Sequence, residues 1–175
     1  MNEALIKQLQ QVPVFGGIDA ASLSFLLANS PERLLRAGEY FFREGDDATS
    51  MFVLTAGEAL VIKQWRGREH AIHPLGVGDC FGEMALMDMF PRSATIRAEQ
   101  DCRAVEISVH TLGELYARDA EQFTIIMMNL GREICRRLRE SDERLFRERL
   151  ARERGDDDDD GGEGDAPVHD ELRLL

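Results

Sequence analysis

Cysteine, histidine and long apolar stretches are all scarce in this sequence. The three cysteines, Cys80, Cys102 and Cys135, are too few and too scattered for a disulfide framework, and none has a second cysteine or histidine at metal-ligand spacing. We therefore expect small buried side chains at these positions and no metal site. No apolar stretch is long enough to span a bilayer, and the N-terminus lacks the basic and apolar regions of an export signal. Both absences predict a cytoplasmic protein.

No signature of catalysis is present either. The four histidines are His70, His73, His110 and His169, and none stands beside a serine or cysteine nucleophile in the sequence. His70 and His73 are expected in a turn. The chain also lacks a GxxxxGK[ST] loop, which argues against ATP and GTP as ligands. We therefore predict that the protein is not an enzyme.

The negative charge is concentrated at the C-terminus. Residues 155–175 hold nine acidic residues and one arginine, for a charge of −8, which leaves −4 of the total of −12 for the other 154 residues. This segment is too charged and too poor in apolar residues to fold, so we predict a disordered acidic tail. Its aspartates resemble the start of a calcium-binding EF-hand loop, but Pro167 stands where that loop needs a glutamate, so no calcium site is expected.

Residues 1–154 predict one globular domain with three parts. Residues 1–30 show two amphipathic helices, the second of them capped by Asp19. Residues 31–108 contain short runs of β-forming residues, separated by glycines at roughly ten-residue intervals, which is typical of an antiparallel β-sandwich or roll. Residues 109–154 return to a helical period. We therefore predict an α+β, mainly β fold, in which helices flank a jelly-roll-like antiparallel β-roll.

The segment FGEMALMDMFPRSATIRA, at residues 81–98, has the composition of a phosphate site. Gly82 precedes a short helix and leaves backbone N–H groups open to an anion. The planar fork of Arg92 suits two phosphate oxygens, and Ser93 adds a hydroxyl donor. Glu83 would repel a phosphate unless it accepts a hydrogen bond from another part of the ligand, such as a sugar hydroxyl. A ribose phosphodiester satisfies all of these groups.

These residues resemble the phosphate-binding cassette of the cyclic-nucleotide-binding domain, the family of the catabolite activator protein and the kinase regulatory subunits. The likeness continues through FREGDDATSMFVLTAGEALV at 42–61 and PLGVGDCFGE at 74–83, and it covers roughly Val12 to Arg147. The resemblance implies one set of ligand contacts: the ribose 2′-hydroxyl to Gly82 and Glu83, the exocyclic phosphate oxygens to Arg92 and Ser93, and a supporting contact from the backbone of Ala85.

The last predicted helix, from about residue 121 to residue 152, carries a narrow apolar stripe between charged flanks. Its stripe consists of Met127, Leu130, Ile134, Leu138, Ser141 and Leu145. Such a stripe favours a coiled-coil seam, and beyond Leu138 a small β-roll offers no obvious cover, so we expect a homodimer through this helix. The resemblance further implies that Ser141 meets the adenine amino group. It also implies that Ser93, where guanine-selective relatives have threonine, favours cAMP over cGMP.

The pattern as a whole predicts a stand-alone cyclic-nucleotide sensor. Ligand binding in the β-roll would be relayed through the C-terminal helix to an effector protein that the sequence does not identify. Relatives that regulate transcription continue into a winged helix-turn-helix, whereas an acidic segment follows here, so neither nucleic acid nor membrane is an expected partner. The alternative is a dimerising scaffold in which Glu83 and Arg92 form an ordinary ion pair and no nucleotide binds.

Overall fold

The computed structural model describes residues 3–157. Its strands pair into two four-stranded antiparallel sheets, in the orders first-eighth-third-sixth and second-seventh-fourth-fifth. This arrangement confirms the predicted α+β fold with an antiparallel β-roll. The strands within the described residues are β1 (Glu32–Leu35), β2 (Tyr40–Phe42), β3 (Ser50–Ala56), β4 (Ala59–Trp65), β5 (Arg68–Leu75), β6 (Cys80–Phe81), β7 (Thr95–Ala98) and β8 (Cys102–Ser108).

Helices lie before the strands, between β6 and β7, and after β8. Three of the described helices begin where a polar side chain caps the first turn: Asp19 Oδ1 accepts a hydrogen bond from the Ser22 backbone N–H at 2.6 Å, Ser108 Oγ accepts one from that of Thr111 at 3.0 Å, and Asp119 Oδ1 accepts one from that of Gln122 at 3.1 Å. The cap at Asp19 is therefore confirmed. The helices are α1 (Glu3–Leu9), α2 (Ala20–Ala28), α3 (Met84–Asp88), α4 (Val109–Arg118) and α5 (Ala120–Asp157), with a 3-10 turn at Pro13–Phe15.

Two apolar clusters form the core. One joins α1, α2, α4 and the start of α5 to one face of β3 and β8, and includes Leu23, Met51, Ile107 and Leu130. The other lies between the two sheets and is rich in aromatic rings: Phe52 and Phe81 are stacked with their centroids 5.3 Å apart, and Phe41 packs against both. The second cluster forms an aromatic floor directly under the segment that follows β6.

Strand β5 corrects one expectation from the sequence. His70 and His73 were predicted in a turn, but both lie in β5, which pairs with β4 from Trp65 opposite Arg68 to Ala59 opposite Leu75. The prediction was wrong because most of β5 is exposed and its side chains do not alternate between apolar and polar. Its hydrogen bonds to β4 make this segment a strand, although its sequence pattern does not indicate one.

The cysteines correct a second expectation. Cys80 and Cys102 are buried, as predicted, and the Cys102 thiol donates to the Glu58 carbonyl at 3.2 Å. Burial raises the pKa of this thiol, so it stays protonated and unreactive near neutral pH. Cys135 is exposed instead, because it lies on the solvent side of α5. All three are free thiols.

Helix α5 runs through two compact units of the chain, one that reaches Cys135 and one that begins at Arg136. In the first unit Ile126 and Leu130 of α5 are fully buried in the core. The described part of the second unit is helical through Asp157, so residues 155–157, which were predicted to begin the disordered acidic tail, belong to α5. The rest of the predicted tail, residues 158–175, lies outside the described residues. Within residues 3–157, every helix is too short or too polar to cross a bilayer.

Candidate functional site

The segment between β6 and β7 is built around Gly82. This glycine has a φ of +76°, and a Cβ atom placed on it would lie 2.5 Å from Nη1 of Arg92 and 3.2 Å from a ring carbon of Phe42. A side chain here would therefore be strained and would also displace the guanidinium. Glycine at this position lets the Arg92 side chain lie directly against the backbone.

Arg92 is held inside the fold by both its backbone and its side chain. Its backbone N–H donates to the Asp46 carbonyl at 2.9 Å, and its own carbonyl accepts from the Gly45 N–H at 2.9 Å. Its guanidinium carbon lies 4.1 Å from the centroid of the Phe42 ring, a cation–π contact. Nη1 donates to the Gly82 carbonyl at 2.9 Å, and the residue is only 5% exposed.

The electrostatics of Arg92 are those of a buried cation. Burial lowers the pKa of its guanidinium, while the charges of Glu106, Asp46 and Glu83 oppose that shift. An arginine remains protonated in either case, so the site contains a permanent positive charge. Nε is fully buried and has no hydrogen-bond partner in the part of the chain that the structure describes. A buried donor without an acceptor costs about 1–3 kcal/mol of stability.

The other predicted residues of this segment lie close by, with different exposures. Glu83 immediately precedes α3 and is 2% exposed, and its charge acts on Arg92. Ala85, in α3, is 6% exposed. Ser93 is exposed, and its Oγ lies 3.8 Å from the sulfur of Met84. The structure therefore brings the buried Glu83 and Arg92 together with the half-buried Gly82, whereas Ser93 lies at the surface.

Ser141 lies elsewhere in the chain. It is an exposed residue of α5 within the unit that begins at Arg136, whereas Arg92 belongs to the other unit. The assignment of Ser141 as a base contact consequently stays a prediction.

Two further features of the site were not found from the sequence. The rings of Phe42 and Phe52 pack against the guanidinium of Arg92. Phe42 is the first residue of one of the stretches that carry the resemblance, but the sequence did not indicate this contact. Lys63 donates to the backbone carbonyl of Ser93 at 2.7 Å and also to Glu44, a bond that lowers the pKa of the Glu44 carboxyl. Because Glu44 offsets its charge, Lys63 adds little net positive potential. Residues 3–157 hold no cluster of three metal-ligating side chains.

The fold and this segment together define a class, the β-roll domains that hold a small ligand beside a short helix. Residues 32–119 match the family model of the cyclic nucleotide-binding domain. The chain belongs to the cyclic nucleotide-binding domain family, which confirms the resemblance noted in the sequence. This family is a ligand-binding and regulatory one rather than a catalytic one.

Relatives within the family are diverse. The chain is 32% identical to a cAMP-dependent protein kinase regulatory subunit of Mycosarcoma maydis over 108 residues, which are 62% of this chain and 21% of that protein. It is 28% identical to the cyclic AMP receptor protein of Thermus thermophilus over 131 residues, 74% of this chain and 59% of that protein. The chain therefore spans between about a fifth and three fifths of these relatives.

A solved structure shows the same fold. The cyclic nucleotide-binding domain from Methylobacillus flagellatus superposes with a TM-score of 0.76 at 22% identity, over 83% of this chain and 84% of that one. At this identity the likeness supports the architecture alone.

Proposed function

We propose that this chain is a cytoplasmic sensor for a cyclic nucleoside monophosphate, with cAMP preferred over cGMP, and that it relays binding through α5 to a protein partner. The observation that supports this proposal is the buried guanidinium of Arg92, whose Nε–H has no acceptor among residues 3–157. A phosphodiester supplies acceptor oxygens for that donor and one negative charge for the cation. A triphosphate would leave most of its charge uncompensated in this interior, at a large desolvation cost.

The neighbouring residues fit the rest of such a ligand. Glu83, deeply buried beside the cation, is an acceptor that suits the ribose 2′-hydroxyl, and Gly82 lets the sugar approach the backbone. Ala85 offers a backbone N–H in α3, and Ser93 offers a hydroxyl at the surface for a phosphate oxygen. The names of the two relatives above include cAMP, which together with Ser93 favours adenine over guanine. Ser141 is proposed as the contact to the adenine amino group.

A titration of the full chain with three nucleotides tests this function. In isothermal calorimetry we expect cAMP to bind, cGMP to bind at least about tenfold more weakly, and 5′-AMP to give no measurable heat. The control is 5′-AMP because it has the same base, whereas its phosphomonoester carries about two negative charges near neutral pH. Equal affinity for 5′-AMP and cAMP would contradict the match between a single cation and a phosphodiester.

One observation favours the second candidate, a dimerising scaffold that binds no nucleotide. Two donors of Arg92 already meet protein acceptors, the Gly82 carbonyl and the Ser50 hydroxyl, as they would in a purely structural arginine. The scaffold predicts no heat and no thermal shift with either cyclic nucleotide, so the same titration separates the two functions.

We also propose that the C-terminal unit pairs with a second copy of the chain. Leu138, Leu145 and Phe146 of α5 are 60%, 54% and 62% exposed, and ion pairs such as Arg136–Glu140 flank this apolar stripe. A charge at Leu138 is expected to convert a dimer into a monomer, because it would be buried in the seam. Sedimentation velocity of Leu138→Glu against the unchanged protein measures this.

The matched control for the dimer is Arg147→Glu. Arg147 lies on the opposite side of the helix from Leu138 and forms an exposed ion pair with Glu143 at 3.3 Å. This variant is expected to remain dimeric, since its side chain lies outside the seam. The proposed dimer is refuted if the unchanged protein is monomeric or if both substitutions change the sedimentation equally.

The effector is proposed to be a protein rather than a nucleic acid. The net charge of −12 disfavours a polyanionic partner, because phosphate backbones attract basic surfaces and repel acidic ones.

A further inference from the structure

A chain of polar contacts leads from Arg92 into the first sheet. Nη2 of Arg92 donates to the Ser50 hydroxyl at 3.3 Å, and that hydroxyl donates to Oε1 of Glu106 at 2.8 Å. The other carboxylate oxygen of Glu106 lies 3.6 Å from Nε of Arg33. Ser50 is only 5% exposed, so the contact to Arg92 is shielded from water.

The pairing of β3 with β8 creates this juxtaposition. Ser50 lies opposite Ser108, and Glu106 lies opposite Phe52, so Ser50 and Glu106 are diagonal neighbours on one face of the sheet. The same face carries Phe52, whose ring lies 5.7 Å from the guanidinium carbon of Arg92. The strand register thus places a hydroxyl and a carboxylate beside the aromatic floor.

The direction of these hydrogen bonds is determined by chemistry. A serine hydroxyl has one proton and two lone pairs, arginine can only donate, and an ionised carboxylate can only accept. The Ser50 proton therefore goes to Glu106, and a lone pair of the Ser50 oxygen faces Arg92. Glu106 consequently determines the orientation of the Ser50 hydroxyl, whose oxygen accepts the hydrogen bond from Nη2 of Arg92.

Contacts at both terminal nitrogens hold the plane of the guanidinium. Nη1 donates to the Gly82 carbonyl, Nη2 donates to Ser50, and the group stacks on Phe42. The direction in which the remaining donors point, Nε among them, depends on that plane. Ser50 is the side-chain acceptor among these contacts, so its loss would release one end of the group.

We infer that Ser50 is the positioning residue for Arg92 and that Glu106 directs the Ser50 hydroxyl, so that both residues influence nucleotide affinity without being assigned any nucleotide contact. The effect on affinity rests on the proposed function, whereas the restraint on the guanidinium does not. The experiment therefore needs one readout without ligand and one with it.

Side-chain ¹⁵N NMR of Arg92 in the free protein gives the first readout. The Nη signals are expected to be resolved in the unchanged protein and averaged in Ser50→Ala, because rotation about the Nε–Cζ bond is then less restrained. Ser50→Thr restores a hydroxyl and is expected to keep the signals resolved. Arg92→Lys assigns the signals by their loss. An unchanged Arg92 spectrum in Ser50→Ala would overturn the inference.

The matched control for Ser50 is Ser108→Ala. This residue lies directly opposite Ser50 and caps α4, so its loss weakens the start of that helix, but its hydroxyl contacts Thr111 rather than Arg92. Its Arg92 signals are expected to stay resolved. If they average as in Ser50→Ala, general loosening of the sheet explains both results and the positioning role is refuted.

The role of Glu106 is tested by a pair of variants. Glu106→Gln keeps an acceptor for the Ser50 proton and is expected to keep the Arg92 signals resolved. Glu106→Ala removes the acceptor, frees the hydroxyl to rotate and is expected to average them. Identical spectra for the two variants would refute the direction that we assign to this contact.

Calorimetry with cAMP gives the second readout. Ser50→Ala is expected to bind about tenfold more weakly, whereas Ser50→Thr and Ser108→Ala are expected to stay within about twofold. If the unchanged protein does not bind cAMP, the sensor function fails while the NMR result still decides the positioning role. If cAMP binds and Ser50→Ala binds it with unchanged affinity, the effect of Ser50 on affinity is refuted and the sensor function stands.

Discussion

Replacement of Arg92 by alanine is expected to weaken cAMP binding by at least about a hundredfold. The variant removes the only buried cation of the candidate site that the structure describes, and with it charge-assisted hydrogen bonds worth about 1.5–3 kcal/mol each. Arg92→Lys keeps the charge but loses the planar fork and Nε, so we expect an intermediate affinity. Calorimetry of the full chain measures both variants.

The matched control for Arg92 is Arg103→Ala. Arg103 is an exposed residue of β8, and its removal changes the net charge equally, so cAMP affinity is expected to stay within about twofold. Near-ultraviolet circular dichroism would establish that each variant is folded. If folded Arg92→Ala binds cAMP as well as Arg103→Ala does, Arg92 does not hold the phosphate, and the scaffold function is favoured.

The largest effect on stability is expected for Gly57→Ala. Gly57 has a φ of +85°, and a Cβ atom on it would lie 2.9 Å from the Cys102 sulfur and closer still to the Asp101 carbonyl oxygen. The left-handed conformation costs an ordinary residue about 1–2 kcal/mol, and the clash with the backbone adds about as much again. We therefore expect the free energy of unfolding to fall by about 3 kcal/mol in urea titrations.

Gly67→Ala separates the two causes. Gly67 also has a positive φ, of +74°, but apart from Gly67 and its two chain neighbours no described residue has an atom within 4 Å of the position of its Cβ. This variant is expected to lose only the conformational cost of about 1–2 kcal/mol. If both variants lose the same free energy, the close approach of Gly57 to the Asp101–Cys102 backbone contributes nothing, and the hairpin that contains Gly57 tolerates a side chain.

The burial of Arg92 explains why so many groups surround it. Removal from water lowers the pKa of the guanidinium, which measures how unfavourable the charge is in the interior. The Phe42 ring, two protein acceptors and the charge of Glu106 offset part of that cost. An anionic ligand such as the proposed phosphodiester would offset more of it.

Predictions from the sequence were most accurate for local features. The cap at Asp19 was predicted because the chemistry of a helix start depends on residues within one turn. Gly82, Glu83 and Arg92 were selected because their spacing along the chain is itself the signal. The β-roll was predicted because runs of β-forming residues separated by glycines depend on short-range order.

Contacts between distant segments were not predicted. Ser50 and Glu106 are 56 positions apart and form a hydrogen bond only through the pairing of β3 and β8. Strand β5 was missed because its exposed side chains do not alternate, and the exposure of Cys135 depends on which face of α5 meets the core. Each of these features depends on where other helices and strands lie in the fold, which the local sequence does not indicate.

By itself the sequence determined the family, the β-roll fold class and the residues proposed for the candidate site, because these depend on spacing between neighbours along the chain. The tertiary structure alone decided that the guanidinium of Arg92 is buried against Phe42 and that Ser50, directed by Glu106, accepts from it. These contacts depend on the register of the strands. The register is determined by which faces of whole strands are buried, so it cannot be derived from any single segment of the sequence.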